Sequence, residues 1–163
     1  MALALHVFFV LCGISGVLTG AWSWRRHKDK DACCPEGWTQ LDDHCYIFQY
    51  EVRPFADAER VCKILGGNLA SIHNYLENVA VAGLIKDGGA DFAWIGLHDA
   101  IEKGHYFWTD GKDFDFDNFA LGKPDGTGAC VELYAPDQTF FDEDCTVYHP
   151  YVCARDTYYC GSH

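Results

Sequence analysis

The sequence predicts an α+β domain in which two helices sit together in the chain and strands lie on either side of them. Three observations predict it. A stretch with period-two alternation, at Tyr46, Phe48 and Tyr50, precedes two stretches of helical period. Short apolar runs follow around a long aperiodic loop, so helices and strands are segregated rather than alternating. Hydrophobic residues make up 49% of the 163 and aromatics 15%, enough to build a core and too much for a disordered chain. The length suits one domain with short extras.

The extras come first. "MALALHVFFVLCGISGVLTGAWS" carries an apolar run from Ala2 to Val17, then small residues at Gly20, Ala21 and Ser23. That is the pattern of a secretory signal peptide, placed at residues 1–22. An uncleaved membrane anchor is the alternative, but the run is short for a span of about 20 residues. "WRRHKDKDA" is polar, basic and aperiodic, and reads as a flexible leader over 23–33, with Arg25-Arg26 as a candidate processing site.

The domain elements then follow in order. "GWTQLDDHCYIFQYE" ends in strand alternation. In "RPFADAERVCKILGG", Phe55, Ala58, Val61, Cys62 and Leu65 fall at helical spacing. Pro54 suits the first turn and Gly66-Gly67 ends the helix. A short strand is expected around Leu69 to Ile72. A second helix follows, capped by Asn74 or Ser71, with Leu76, Val79, Ala80, Leu84 and Ile85 on its buried side and Asp87-Gly88-Gly89 as its stop. "DFAWIGLHD" and "HYFWTDG" each hold a short apolar run, the latter closed by an Asp-Gly turn. Trp94, Trp108 and Phe92 are read as core. Asp113 to Gly128 is acidic, glycine-rich and without period, hence a loop. Its opening "DFDFDNF" alternates acids with aromatics and reads as a strand edge with a solvated acidic face. "CVELY", "TFFDEDC" and "YVCAR" are three brief strand candidates. A loop this long in a compact domain is usually functional.

Nine cysteines are present, and Cys12 lies in the signal peptide. The even remainder in a secreted domain implies disulfides. Zinc is the alternative for these thiols, but no C-x-x-C pair appears. The net charge is −12, and four cations and two anions precede Cys33, so the domain carries −14. Phosphates would be repelled, which excludes nucleic acid as a partner. Calcium and simple solubility both fit the acidity. Catalysis finds no support. Ser71 and Ser162 are the only serines after Cys33, and neither stands in a nucleophile motif. His44, His73, His98, His105 and His149 are dispersed, with His98 and His105 as candidates for pH-sensitive contacts.

"CPEGW" with Cys45, "FADAERVC", "GGNLASIHN", "WIGL", "CVELY", "DEDC" and "YVCAR" together resemble the C-type lectin-like domain family, from about Cys34 to Arg155. The "ACCPEGWTQ" opening is similar to small secreted lectins of fish and to type II antifreeze proteins. The resemblance implies a double-loop fold over residues 34–155, with two helices, small antiparallel sheets and a tail at 156–163. It also implies bridges Cys34–Cys45, Cys62–Cys153 and Cys130–Cys145. Cys33 and Cys160 are left over at the two ends, which meet in this fold. They are expected to pair, the alternative being a link between subunits in a homodimer.

In sugar-binding members, a loop tripeptide of the Glu-Pro-Asn or Gln-Pro-Asp type, a glutamate two before the next cysteine and a Trp-Asn-Asp tripeptide hold calcium, whose shell wants six to eight oxygens. Here the corresponding residues are Lys123-Pro124-Asp125, Gly128 and Phe140-Phe141-Asp142. Asp125 matches the galactose-type pattern, and Asp125 and Asp142 are the two surviving metal-ligand candidates. Lys123 has three donors and no acceptor. Its charge beside a divalent ion about 4 Å away would cost roughly 8 kcal/mol at a surface-like dielectric. At the family's auxiliary calcium site Asp99 fits, but its partner acid falls on Lys103, with Glu102 one residue off. Two roles are open for Lys123: it takes the cation's place and pairs with Asp125 or Asp142, or it points into solvent. Asp117, Glu143 and Asp144 are candidates for a shifted calcium site.

The resulting expectation is a secreted, extracellular lectin-like protein of innate defence. It would bind glycans or glycoproteins, galactose-type if any, through Lys123, Asp125 and Asp142, with calcium as a candidate cofactor whose ligand set is broken. The alternatives are a type II antifreeze-like ice-binding protein, or a protein-interaction or matrix module that has lost sugar binding.

Overall fold

The computed structural model describes residues 32–161; the expected signal peptide, most of the leader and the last two residues lie outside them. Among the described residues, ten strands and two helices run in the order β1 (Ala32–Cys33), β2 (Thr39–Leu41), β3 (His44–Arg53), α1 (Phe55–Ile64), β4 (Asn68–Leu69), α2 (Tyr75–Asp87), β5 (Phe92–Glu102), β6 (His105–Trp108), β7 (Cys130–Tyr134), β8 (Thr139–Glu143), β9 (His149–Asp156) and β10 (Tyr158–Tyr159). The helices lie side by side in the chain, between β3 and β5, as an α+β order requires.

The main sheet runs β2-β3-β9-β5-β7-β8, with β4 added to β9 and β6 to β5. Its pairings are antiparallel except β5 with β9, which join in parallel at Trp94 and Tyr151. That parallel junction ties the chain's two ends to the strands around the long loop. A second, two-stranded ribbon pairs β1 with β10. Ordered structure therefore extends past the expected boundaries at 34 and 155: Ala32–Cys33 is a strand rather than leader, and Tyr158–Tyr159 is its partner rather than tail.

Among the described residues, four disulfides staple this frame. Cys34–Cys45 closes the β2–β3 hairpin, Cys62–Cys153 fixes α1 to β9, and Cys130–Cys145 holds β7 against the end of β8. Cys33–Cys160 joins the terminal ribbon, with Cα atoms 6.0 Å apart.

The core forms where the alternation and helical faces meet. Tyr46, Ile72, Val81, Ile85, Ile95 and Trp108 belong to one buried cluster, and Phe55, Cys62, Trp94 and Tyr151 to a second. Phe92 is half-buried, stacked on Tyr134 with centroids 4.6 Å apart. α1 buries Phe55, Ala58 and Cys62. Gly66, at φ +86°, leads the chain out of α1 in the left-handed region. α2 departs from the expected face. Leu76 is 67% and Val79 37% exposed, while Asn78, Val81, Ala82 and Ile85 are buried. Apolar residues surround this helix, so its period gives no direction. Its rotation is set instead by a tertiary bond, Asn78 Nδ2 donating to the Gln138 carbonyl at 2.8 Å. The strand expected over Leu69 to Ile72 is shorter, β4 ending at Leu69.

"DFDFDNF" is also corrected. It is an irregular loop rather than a strand edge. Phe114, Phe116 and Phe119 pack against the first core cluster while Asp113, Asp115 and Asp117 are exposed. The alternation is real, but this backbone spends its donors and acceptors on β8: the Ala120 N–H reaches the Phe140 carbonyl and the Phe140 N–H reaches Asn118. That contact lays the long loop along the outer edge strand, and the candidate site stands there.

Candidate functional site

The site is built from one loop and one strand. The Lys123–Pro124 peptide is cis, and the Lys123 N–H donates to Ala120 at 2.9 Å. β8 runs alongside and contributes Phe140, Phe141 and Asp142. Strand alternation sends Phe140 and Asp142 inward, both buried, with Phe141 half-buried between them.

Asp142 is the anchor. Its side chain is buried, and its two carboxylate oxygens accept the Asp125 N–H at 3.1 Å and the Gly126 N–H at 2.7 Å. Its own carbonyl accepts the Thr127 hydroxyl at 3.1 Å. The loop tip thus wraps this one carboxylate. Lys123 completes the arrangement: Nζ lies 2.9 Å from Asp125 Oδ2 and 3.3 Å from Asp142 Oδ1. It also stands 5.7 Å from the centroid of the Phe141 ring. The ammonium sits between the two surviving acids and does not point into solvent.

The electrostatics follow from this contact. The Lys123 ammonium, with Thr127, pulls the Asp125 carboxyl down to about 2. Burial alone would raise Asp142; the Asp125 and Gly126 N–H groups and Lys123 outweigh it, and the carboxyl is held below its ordinary value. Burial works against the Lys123 charge too, and the two carboxylates overcome it, so its pKa is raised.

The remaining positions were closed to metal in a way the sequence shows only in part. At Gly128 a Cβ would lie 1.8 Å from the Glu143 carbonyl carbon and oxygen. The backbone has therefore moved into the space a glutamate would need, and glycine is required there. At the auxiliary position Lys103 repeats the role of Lys123. Its Nζ stands 3.4 Å from the buried Asp99 Oδ2 and donates to the Gly128 carbonyl at 2.7 Å. Asp99 Oδ2 also accepts the Gly104 N–H at 2.8 Å. Lys103 and Lys123 thus each set an ammonium beside a buried carboxylate, Asp99 and Asp142. Sequence reasoning saw Lys103 as a lost ligand and missed that it returns a charge to Asp99; the i,i+4 spacing on a hairpin was the available signal.

The shifted calcium site does not assemble. Asp117 accepts the Phe119 N–H, Asp144 accepts both the N–H and hydroxyl of Thr146, and Glu143 Oε1 accepts the Asp144 N–H. Among the described residues no third carboxylate or histidine joins Asp125 and Asp142 in a group close enough to share an ion. A calcium shell of oxygens does not fit a donor set whose carboxylates already hold an ammonium and two amides. Of the two histidines singled out, His98 is half-buried, its ring centroid 5.9 Å from Phe55 and 6.5 Å from Phe107. Burial lowers its pKa, with Asp99 acting the other way. His105 is exposed and 3.3 Å from Glu102.

A disulfide-stapled α+β domain, with its ends tied together and a long loop laid over an edge strand, is the architecture of a lectin-like domain. The chain belongs to the Lectin C-type domain family, whose pattern it matches over residues 51–155. It is 39% identical over 100 residues to ladderlectin of Oncorhynchus mykiss, a match covering 58% of this chain and 51% of that protein; the chain thus spans about half of that relative's length. It is 34% identical over 128 residues to the galactose-specific lectin nattectin of Thalassophryne nattereri, covering 76% and 80% of the two chains. Among solved structures, a calcium-independent type II antifreeze protein superposes with a TM-score of 0.73 at 28% identity, covering 78% of this chain and 97% of that one.

Proposed function

We infer that this is a secreted lectin-like protein that binds glycans through the long loop without calcium, acting outside the cell in defence. The observation that carries it is the Lys123 ammonium held between Asp125 and Asp142 at 2.9 and 3.3 Å. In a calcium-dependent lectin the ion orders the loop and offers its open coordination positions to sugar hydroxyls. Here an internal cation orders the loop, and Lys123 N–H groups with the Asp125 carboxylate supply donors and acceptors that hydroxyls can use. The similarity to a galactose-specific lectin supports a galactose-type glycan as the first ligand to try. Among the described residues no helix is long and apolar enough to cross a membrane, and four disulfides suit an oxidising compartment.

The test is retention on immobilised galactose and on bacterial glycans, with millimolar calcium and with chelator. Equal retention in both, weakened by Lys123→Ala, is the expected result. Retention that requires calcium, or none on any glycan, would overturn the reading.

A second reading is favoured by a separate observation, the fold likeness to a calcium-independent type II antifreeze protein. Ice binding needs an ordered surface, and a lysine-locked loop provides one without metal. Thermal hysteresis in a solution that shows no glycan retention would select it.

A further inference from the structure

We propose that Glu132, Glu143 and His149 form a binding site for a divalent transition cation of the zinc class. Glu132 lies mid-β7, Glu143 ends β8 and His149 opens β9. Register brings them together. Glu132 pairs with Phe141, two residues before Glu143, and with Trp94, which also pairs with Tyr151, two residues after His149. Two-residue steps keep side chains on one face, so all three project to the same side. One donor atom from each lies within 4.8 Å of the other two.

The second observation is a buried carboxylate oxygen that lacks a hydrogen bond. Glu132 is 5% exposed. Its Oε2 is buried and accepts no hydrogen bond, and the buried Nε2 of His149 makes none. Yet the two atoms are 2.9 Å apart. The contact has the length of a hydrogen bond without its direction. Buried polar atoms are normally satisfied, and one that is not calls for an explanation such as an ion. Two donors about 2.1 Å from a shared tetrahedral ion stand about 3.4 Å apart, close to the separation already present.

The chemistry selects the cation. One imidazole and two carboxylates match the nitrogen–oxygen ligand sets of zinc. Calcium prefers oxygens throughout and six to eight of them, which three donors including an imidazole do not offer. Two carboxylate charges with a neutral imidazole are balanced by a divalent ion. The imidazole is positioned by rings: its centroid lies 4.9 Å from that of Trp94, edge to face. The site has an entry path, since the His149 side chain is 21% exposed and Glu143 is half-buried.

The test is calorimetric titration of the chelator-stripped full-length protein with zinc, in wild type, His149→Gln and Glu143→Gln. Circular dichroism checks that each folds; should His149→Gln not fold, Glu143→Gln carries the comparison. Expected is one equivalent of zinc, micromolar affinity unaffected by millimolar calcium, a raised Tm, and binding at least about tenfold weaker in each variant. Absence of saturable zinc binding overturns the proposal and leaves Glu132 and His149 as an ion pair alone. Unchanged affinity in the variants overturns it equally, because the ion is then held elsewhere. Neither result bears on the glycan reading, which concerns Lys123.

Discussion

At Lys123 a single side chain changes the character of a whole loop. An ammonium is a permanent ligand that no chelator removes, so the loop is ordered from the moment the chain folds. The acid limb of stability reports this directly. The Asp125 carboxyl sits near 2 in the folded protein, against about 3.9 in an unfolded chain. A depressed carboxyl contributes stability that is present above the unfolded value and lost as the pH falls toward the folded one. Calorimetric scans from pH 4 to pH 2 should therefore show Tm falling more steeply in wild type than in Lys123→Met, where the depression is relieved; equal slopes would refute the pairing. Gly128 makes the second residue-scale prediction. A methyl group there meets the Glu143 backbone at 1.8 Å, so Gly128→Ala should destabilise by about 3 kcal/mol in urea unfolding. For the same reason Gly128→Glu should fail to create calcium binding by calorimetry, although it restores the family's residue type.

At the scale of elements, the helices are joined to the sheet by polar contacts as much as by packing. α2 begins at Asn74, whose side chain accepts the Glu77 N–H at 3.0 Å, while Glu77 reaches back to the His73 N–H at 2.7 Å. The first bond caps the helix, and the second ties down the residue before the cap. Asn74→Ala should cost about 1 kcal/mol, read as a shift in the urea midpoint at unchanged slope. α1 is anchored from its middle: Glu59 accepts the Asn68 side chain at 2.8 Å and the Leu69 N–H at 2.7 Å. Those bonds hold β4 to the helix where the strand is only two residues long.

For the whole molecule, the consequence of greatest reach is closure. Cys33–Cys160 spans 127 residues and holds the β1–β10 ribbon together. In the chain-entropy account a loop of that size contributes about 5 kcal/mol. The double variant Cys33→Ser/Cys160→Ser should lose a large part of that in thermal unfolding while remaining a folded monomer. If those two cysteines joined subunits instead, wild type would run as a dimer on a non-reducing gel.

The sequence by itself determined the fold class, the order of elements and the identity of the acids and lysines at the site. Period, turn residues and cysteine spacing are local, and local chemistry suffices for them. "FADAERVC" could only bury Phe55, Ala58 and Cys62 together, and Lys123 could never serve as an oxygen ligand. What only the tertiary structure decided is which group answers which. α2 is apolar on every side, so Asn78 and its bond to Gln138, not periodicity, chose its inward face. Lys123 had two roles open until β8 brought Asp142 beside it, 19 residues along the chain. Gly128 read as a missing ligand until Glu143 was seen filling its Cβ position. Glu132, Glu143 and His149 lie on three strands, and their meeting depends on register, a property of pairing between strands that no single stretch of sequence contains.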